Sequence, residues 1–245
     1  MSRLALIRSQ VEIRVPGALS TYQRCSTPTL RTGAASLDQL GVPVGALTQI
    51  SAPSQVSSGS TSLLISLLEQ LTANDHFCAL VDAGDSFDPA GAERSGVSLN
   101  RLLWVRCSRF GNERKKVRFK PLEQAFKAAD ILVQNGGFSL IAMDLRDIDG
   151  RDLRKVPLTT WFRFARVVET TEMALIVLAT YPAAQSCAAL TLDTRTVSAS
   201  WSNRDCDSHA VLLTSAEHHL EVSRDRTRKV PQAVKPEFIS TPKWA

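Results

Sequence analysis

Short, continuous apolar runs alternate with amphipathic stretches along roughly the first 180 residues of the chain. The runs predict buried strands over 46–51, 77–81, 102–107, 138–143 and 174–179, because strands covered on both faces lack polar alternation. Apolar positions at helical spacing predict helices over 3–14, 61–71, 88–95, 121–135 and 158–168. This alternation indicates an α/β fold with a mainly parallel central sheet and helices on both of its faces.

The last quarter of the chain departs from this alternation. Strand-like pieces near 187–193, 196–201, 209–213 and 217–223 follow one another without a helix between them, which predicts antiparallel strands. From residue 224 the chain is basic and contains three prolines, which indicates an extended or disordered tail. We therefore expect an N-terminal helical arm (1–20), a core domain (21–223) and a basic tail (224–245).

The composition is that of a soluble globular protein. The chain has 245 residues, of which 44% are hydrophobic and 22% are charged, and this excludes a disordered or fibrous protein. The longest apolar run, 173–179, is too short to span a bilayer, and the N-terminus lacks the apolar core of a secretion signal. We expect a cytoplasmic protein that does not contact a membrane.

Cysteines and histidines show no pattern typical of a metal site. The five cysteines form no C-x-x-C pair, and Cys78 and Cys107 lie inside apolar strand-like runs. We expect both to be buried thiols of a protein in a reducing compartment. The four histidines lack metal-ligand spacing, and we assign all of them to the surface: His76, His209, His218 and His219.

Positive charge is concentrated in one segment. Lys and Arg number 29 against 24 Asp and Glu, a net charge of +5, and the segment from Arg106 to Lys120 carries the whole excess. Two phenylalanines lie among its basic residues, a pattern suited to a phosphate backbone with stacked bases, although a solvated loop has the same composition. The candidate DNA-binding residues are Arg109, Arg114, Lys115, Lys116, Arg118 and Lys120.

A Ser-rich loop at 52–61 lies between a predicted strand and a predicted helix, where a phosphate-binding loop would lie. Gly59 and Thr61 match such a loop, but Ser60 replaces its lysine and Ser54 replaces its first glycine. Without the lysine ammonium, strong ATP hydrolysis is not expected, although backbone amides at the helix N-terminus can still hold an anion weakly. The candidate nucleotide-binding residues here are Ser57, Ser58, Gly59, Ser60, Thr61 and Ser62.

Asp144 ends the apolar run 140–143, at the position of a carboxylate that holds Mg²⁺ through water in such proteins. Thr61 and Asp144 are therefore the candidate Mg²⁺ residues. An aspartate that caps the following turn gives the same pattern, so the two interpretations remain open at this stage.

Several spaced motifs together resemble the core of the RecA recombinases. They are the segments 31–38, 41–45 and 57–59, then 81–89, Gly96-Val97 and Leu102-Leu103. Within this group the chain is most similar to the ImuA proteins, through its short length and the segments 4–8, 156–163 and 186–190. The resemblance covers about residues 3–223 and implies a RecA-like P-loop NTPase core.

The ImuA resemblance also implies a role and partners. ImuA proteins accompany a Y-family polymerase homologue (ImuB-like) and a replicative-type mutagenic polymerase in damage-induced, error-prone translesion synthesis. The N-terminal helix corresponds to the segment through which RecA protomers pack, which implies self-association or a contact with RecA. Arg146, Arg151, Arg154 and Lys155 correspond to the first DNA loop of RecA, which implies contact with single-stranded DNA. A bacterial, nucleoid-associated location in the cytoplasm follows from the same resemblance.

The departures from RecA concern the residues that hydrolyse ATP. Asp88 of the adenine site is retained, but Gly91 stands where RecA has an aromatic residue. Gly84 stands where RecA has its catalytic glutamate, and Thr180 replaces the sensor glutamine. These losses, with Ser60, imply that ATP and Mg²⁺ bind weakly at most and that the chain is not an enzyme. A residual DNA-dependent ATPase and a SulA-like cell-division inhibitor remain the alternatives.

Overall fold

The computed structural model describes residues 28–33, 38, 41–52, 58–107, 120–202, 211–227 and 237–241. The predicted helix over 3–14, the N-terminal arm and most of the basic tail lie outside these residues. Two short strands, β1 (Thr29–Leu30) and β2 (Val42–Pro43), pair antiparallel ahead of the main sheet.

The main sheet has eight strands in the order β10-β9-β8-β3-β7-β6-β4-β5. Its parallel part consists of β3 (Ala46–Ser51), β4 (Cys78–Asp82), β5 (Leu102–Arg106), β6 (Leu140–Asp144) and β7 (Ala174–Ala179). The strand β8 (Leu190–Trp201) runs parallel to β3, whereas β9 (Leu213–Asp225) and β10 (Glu237–Ser240) add antiparallel. The expected α/β fold, mainly parallel with an antiparallel end, is confirmed.

The C-terminal strands differ in length from the prediction. The pieces near 187–193 and 196–201 form the single strand β8, which is interrupted by register shifts at Thr191/Leu192 and Thr196/Ser198. Such bulges break the apolar alternation without ending the strand, so the sequence pattern divides one strand into two.

The described part of the chain contains five α-helices. They are α1 (Ser60–Ala73), α2 (Pro89–Arg94), α3 (Pro121–Asn135), α4 (Gly150–Arg154) and α5 (Leu158–Glu169). Pro121 occupies the first turn of α3 and Gly136, at φ 67°, ends it, as expected for residues suited to those positions. The short helix α4 was not predicted, since it has only one buried residue, Leu153.

Alternate strand residues face two separate halves of the core. Leu67 and Leu68 of α1 pack with Leu80 and Ile176 on one face of the sheet, and Trp161 and Phe164 of α5 belong to the cluster on the other face. Cys78 and Cys107 are buried, as predicted. No helix among the described residues is both long and apolar enough to cross a bilayer.

The parallel strands bring their carboxyl ends to one edge of the sheet. Asp82 and Asp144 are directly paired across β4 and β6, and Ser51 is paired with Ala179 across β3 and β7. In open α/β sheets this edge is where ligands bind, because the loops and helix N-termini converge there.

Candidate functional site

The remnant of the phosphate loop leads directly into α1. Gly59, at φ 75°, precedes the helix, and its carbonyl accepts the first helical hydrogen bond from the Leu63 N–H at 2.9 Å. The Ser60 hydroxyl is buried and lies 3.0 Å from the hydroxyl of Ser58. Thr61 and Ser62 follow on α1, whereas Ser57 lies outside the described residues. The loop therefore presents hydroxyl groups where a lysine would supply a positive charge.

Asp144 lies across from this loop at the end of β6, and its side chain is only 7% exposed. It is held by Arg146, whose Nε donates to Oδ1 at 2.9 Å and whose Nη2 donates to Oδ2 at 2.5 Å. This two-pronged geometry is the strongest form of a carboxylate–guanidinium contact. Both carboxylate oxygens of Asp144 are thus engaged by a side chain of the same protein.

The same guanidinium reaches the phosphate loop. Nη1 of Arg146 donates to the Ser60 hydroxyl at 2.8 Å and to the Thr61 hydroxyl at 2.6 Å. Arg146 therefore bridges α1 and β6 and places its positive charge between the two elements that would share Mg²⁺. We call the set Arg146, Asp144, Ser60 and Thr61 the arginine bridge.

Arg146 remains charged in this position. Burial lowers the pKa of its guanidinium, but the hydrogen bonds and charge of Asp144, aided by Asp147 and Asp82, raise it above its ordinary value. Mg²⁺ with a bound nucleotide does not fit this arrangement, because the Thr61 hydroxyl and both Asp144 oxygens already contact the guanidinium. Thr61 and Asp144, the candidate Mg²⁺ residues, both contact the guanidinium of Arg146. This contact was not predicted from the sequence; the position of Arg146 two residues after the strand-ending aspartate was the available signal.

A second acidic group stands beside Gly84. A Cβ atom built on Gly84 would lie 2.0 Å from Oδ2 of Asp147, so no larger residue fits there without moving that carboxylate. Asp85, the neighbour of Gly84, turns away to Arg106, whose Nε and Nη2 lie 2.6 and 2.7 Å from its carboxylate oxygens. The hydrogen bond from Arg106 holds the pKa of Asp85 below its usual range.

Buried Asp82 orders the turn that carries Gly84. Its carboxylate accepts hydrogen bonds from the backbone N–H groups of Gly84 and Phe87 at 3.1 and 3.0 Å, and from Nε1 of Trp104 at 3.3 Å. Asp88, the other acidic candidate, caps α2 and accepts from the Ala90 N–H at 3.1 Å. A Cβ on Gly91 would lie 2.4 Å from its Oδ2, so Asp88 packs over the glycine that replaces the aromatic residue.

Among the histidines of the described residues, His218 is buried against the phosphate loop. His218 on β9 is 1% exposed, and its ring lies where a Cβ of Gly59 would be, at 2.4 Å. Its Nδ1 is 3.0 Å from the Thr196 hydroxyl and its Nε2 is 2.7 Å from the Ser240 hydroxyl. The assignment of His218 to the surface was therefore wrong. Gly59, Thr196 on β8, and Ser240 and Phe238 on β10 surround its ring, and no local pattern predicts such long-range contacts.

Two of the basic residues assigned to DNA form ion pairs with neighbouring aspartates. Arg151 pairs with Asp149 at 3.0 Å and Lys155 with Asp152 at 2.8 Å, whereas Arg154 lies over the Tyr181 ring at 5.2 Å. Lys120 immediately precedes α3. The remaining candidates lie outside the described residues: Arg109, Arg114, Lys115, Lys116 and Arg118.

Comparison with known proteins agrees with this fold. The family model of the RecA N-terminal domain matches residues 17–147, more than half of the chain. Protein RecA of Desulfotalea psychrophila is 35% identical over 121 residues, and Protein RecA of Wigglesworthia glossinidia brevipalpis is 33% identical over 120. These matches cover 48% and 47% of this chain and 30% and 32% of the relatives, so the chain spans about a third of their length. The chain belongs to the RecA N-terminal domain family.

Proposed function

We propose that this protein is a non-hydrolysing RecA-fold accessory protein of DNA-damage-induced, error-prone translesion synthesis in the bacterial cytoplasm. It binds a Y-family polymerase homologue (ImuB-like), assembles with a replicative-type mutagenic polymerase, and contacts single-stranded DNA at the nucleoid. Its RecA-like core serves as a scaffold, and ATP with Mg²⁺ has at most a weak, non-catalytic role.

The arginine bridge is the observation that carries the non-hydrolysing part of this proposal. Hydrolysis requires cations that contact the β- and γ-phosphates, whereas the Arg146 guanidinium is bonded to Asp144, Ser60 and Thr61 of the same chain. The acidic groups Asp82, Asp144 and Asp147 oppose a triphosphate that arrives without Mg²⁺. A ligand with Mg²⁺ must first displace Arg146.

Support for translesion synthesis comes from the segments that resemble ImuA, of which 156–163 and 186–190 lie among the described residues. The segment 156–163 follows α4 and contains the first turns of α5, and it brings Trp161 into the core while Phe162 stays 47% exposed. An exposed phenylalanine beside Leu158, itself 36% exposed, offers an apolar contact for a protein partner. The RecA family match alone does not specify this role, because one fold carries many functions.

An ATPase assay with single-stranded DNA and Mg²⁺ tests the catalytic part. We expect no turnover above that of a heat-inactivated sample, for the natural protein and for Asp144→Asn alike. Turnover that requires single-stranded DNA and is abolished by Asp144→Asn would contradict the proposal.

Co-purification tests the partner. We expect the full chain to retain the ImuB-like polymerase homologue, and truncations that remove residues 1–20 or 224–245 to lose it. Phe162→Ser, matched by Ile131→Ser on the exposed face of α3, tests the apolar contact. Full retention by both truncations and by Phe162→Ser would count against all three contact surfaces.

A residual ATPase is the second candidate, and one observation favours it. The Asp147 carboxylate lies over Gly84, close to where the glutamate of RecA begins, so a carboxylate is present even though the glutamate is lost. If Asp147 activates water, Asp147→Asn removes turnover while Asp149→Asn, two residues away and exposed, does not. Equal turnover in both variants would exclude this candidate.

A further inference from the structure

A pocket of about 270 Å³ opens at the carboxyl ends of β3 and β7, on the side where β8 and β9 extend the sheet. Ser51 and Ala52 form one wall, Tyr181 and Pro182 another, and side chains of β8 and β9 form the floor. It shares no residue with the arginine bridge. Its volume lies just below the range of about 300–1,000 Å³ that is typical of small-molecule pockets.

Two buried polar atoms of the pocket have no hydrogen-bond partner. They are the hydroxyl of Ser51, a residue that is 5% exposed, and Nε2 of His219. A buried polar atom without a partner costs free energy, so folded proteins pair such atoms with protein, water or ligand. Both residues line the same pocket, which points to a ligand that supplies the missing partners.

The orientation of the His219 ring determines whether its Nε2 atom donates or accepts a hydrogen bond. Nδ1 lies 3.1 Å from Oε1 of Glu237 across the β9–β10 pair, so the proton belongs on Nδ1, where it is donated to the carboxylate. When Nδ1 carries the only ring proton, Nε2 is an acceptor. A ligand that pairs with Nε2 of His219 must therefore supply an N–H or O–H donor.

The charged side chains of the pocket also favour a donor. Asp193 and Glu221 are direct cross-strand partners, and Arg195 is the cross-strand partner of His219. Within the described chain the Glu221 side chain makes no hydrogen bond or ion pair, and the Asp193 carboxylate accepts only from the Ser223 hydroxyl. With one guanidinium against two carboxylates, the pocket carries net negative charge and opposes a phosphate.

A metal ion is not the ligand that these acceptors suit. No group of three His, Cys, Asp or Glu side chains in the described part of the chain lies close enough to hold one metal ion. Spaced acceptors are matched instead by a group whose N–H donors point in several directions, such as a guanidinium or an alkylammonium. Tyr181 and Pro182 provide an apolar wall for the alkyl stem of such a group.

We propose that this pocket binds a guanidinium or ammonium cation, with Glu221 and Asp193 neutralising its charge and Ser51 and His219 accepting its N–H groups. The cation comes from an arginine or lysine side chain of a partner protein or from a free polyamine. The proposal is independent of translesion synthesis, since it stands on the pocket alone.

Nuclear magnetic resonance of the full chain with labelled histidine tests the proposal. N-acetyl-arginine amide, spermidine and sodium phosphate are titrated separately at constant ionic strength, and the His219 ring signals, assigned with His219→Gln, are followed. We expect saturable shifts with at least one of the two cations and none with phosphate. A preference for N-acetyl-arginine amide identifies a protein side chain, and a preference for spermidine identifies a polyamine.

Glu221→Gln provides the decisive variant, because Glu221 is exposed and its loss leaves the core intact. We expect this variant to weaken cation binding at least fivefold. Glu172→Gln, the same change at an exposed position just before the opposite end of β7, should leave it unchanged. The proposal is overturned by absence of saturation with both cations, by saturable binding of phosphate, or by equal affinities in the two variants.

Discussion

Replacing Arg146 by alanine tests the arginine bridge directly. The change leaves the Asp144 carboxylate, 7% exposed, without its two-pronged partner, and removes donors from Ser60 and Thr61. Loss of one member of a buried ion pair costs about 3–5 kcal/mol. Because the Arg146 side chain is 21% exposed and water can reach Asp144, we expect the lower end, about 3 kcal/mol of unfolding free energy.

A double-mutant cycle separates the pair from its surroundings. Asp144→Asn keeps the shape of the side chain but removes its charge, and we expect it to cost about 2 kcal/mol. Once one partner is absent, removing the other loses little further stability, so the double variant should lower the unfolding free energy by about 3 kcal/mol. The two single variants together cost about 5 kcal/mol, so the coupling energy between Arg146 and Asp144 is about 2 kcal/mol. Urea unfolding measured by fluorescence and circular dichroism supplies the four free energies, provided that both probes give the same transition.

The exposed pair Arg151–Asp149 is the matched control. It has the same chemistry, an arginine with an aspartate two residues away, but both side chains are largely exposed to solvent. Exposed pairs are screened by water, so Arg151→Ala should shift the transition too little to measure. A coupling below about 0.5 kcal/mol between Arg146 and Asp144 would refute the inference that the bridge is a fixed part of the fold.

Three further predictions concern other parts of the molecule. Burial lowers the pKa of His218, so the unfolded chain takes up its proton first as the pH falls through about 6.5. The stability that neutral His218 contributes is therefore complete above that pH and is lost below it, and His218→Gln should flatten unfolding free energies measured between pH 7.5 and 5.5; an unchanged slope would contradict the burial. Burial also raises the pKa of Cys78 to about 12 and of Cys107 to about 11, so mass mapping should find neither alkylated at pH 8 until the protein is unfolded. If six basic side chains contact single-stranded DNA, the logarithm of the binding constant should fall with that of salt concentration at a slope of about −4, and a slope near zero in fluorescence anisotropy would exclude this contact.

The fold followed from the sequence because its parallel strands are covered on both faces. Continuous apolar runs such as 174–179 therefore stood out, and Pro121 and Gly136 fixed the ends of α3. The bulged strand β8 did not follow, since its irregular register disrupts the alternation on which such predictions depend.

Only part of the candidate site could be predicted from the sequence. Thr61 and Asp144 both contact Arg146 at the edge of the sheet where the predicted strands end and the predicted helix begins. The role of Arg146 depends on the direction of one long side chain. The burial of His218 depends on its contact with Gly59, about 160 residues away in the sequence. The position of Arg146 two residues after Asp144 signals the ion pair but not the reach of its guanidinium to α1. No local pattern signals the burial of His218, which the sequence alone assigned to solvent.

Calorimetric titration of the purified protein with Mg-ATP tests the central inference most directly. Displacement of Arg146 at a cost of about 2–4 kcal/mol weakens binding by about 30- to 1000-fold. We predict no detectable binding by the natural protein at micromolar concentrations, and measurable binding by Arg146→Ala, which frees Asp144 and Thr61. Micromolar binding by the natural protein, unchanged in Arg146→Ala, would show that the arginine bridge does not exclude the nucleotide.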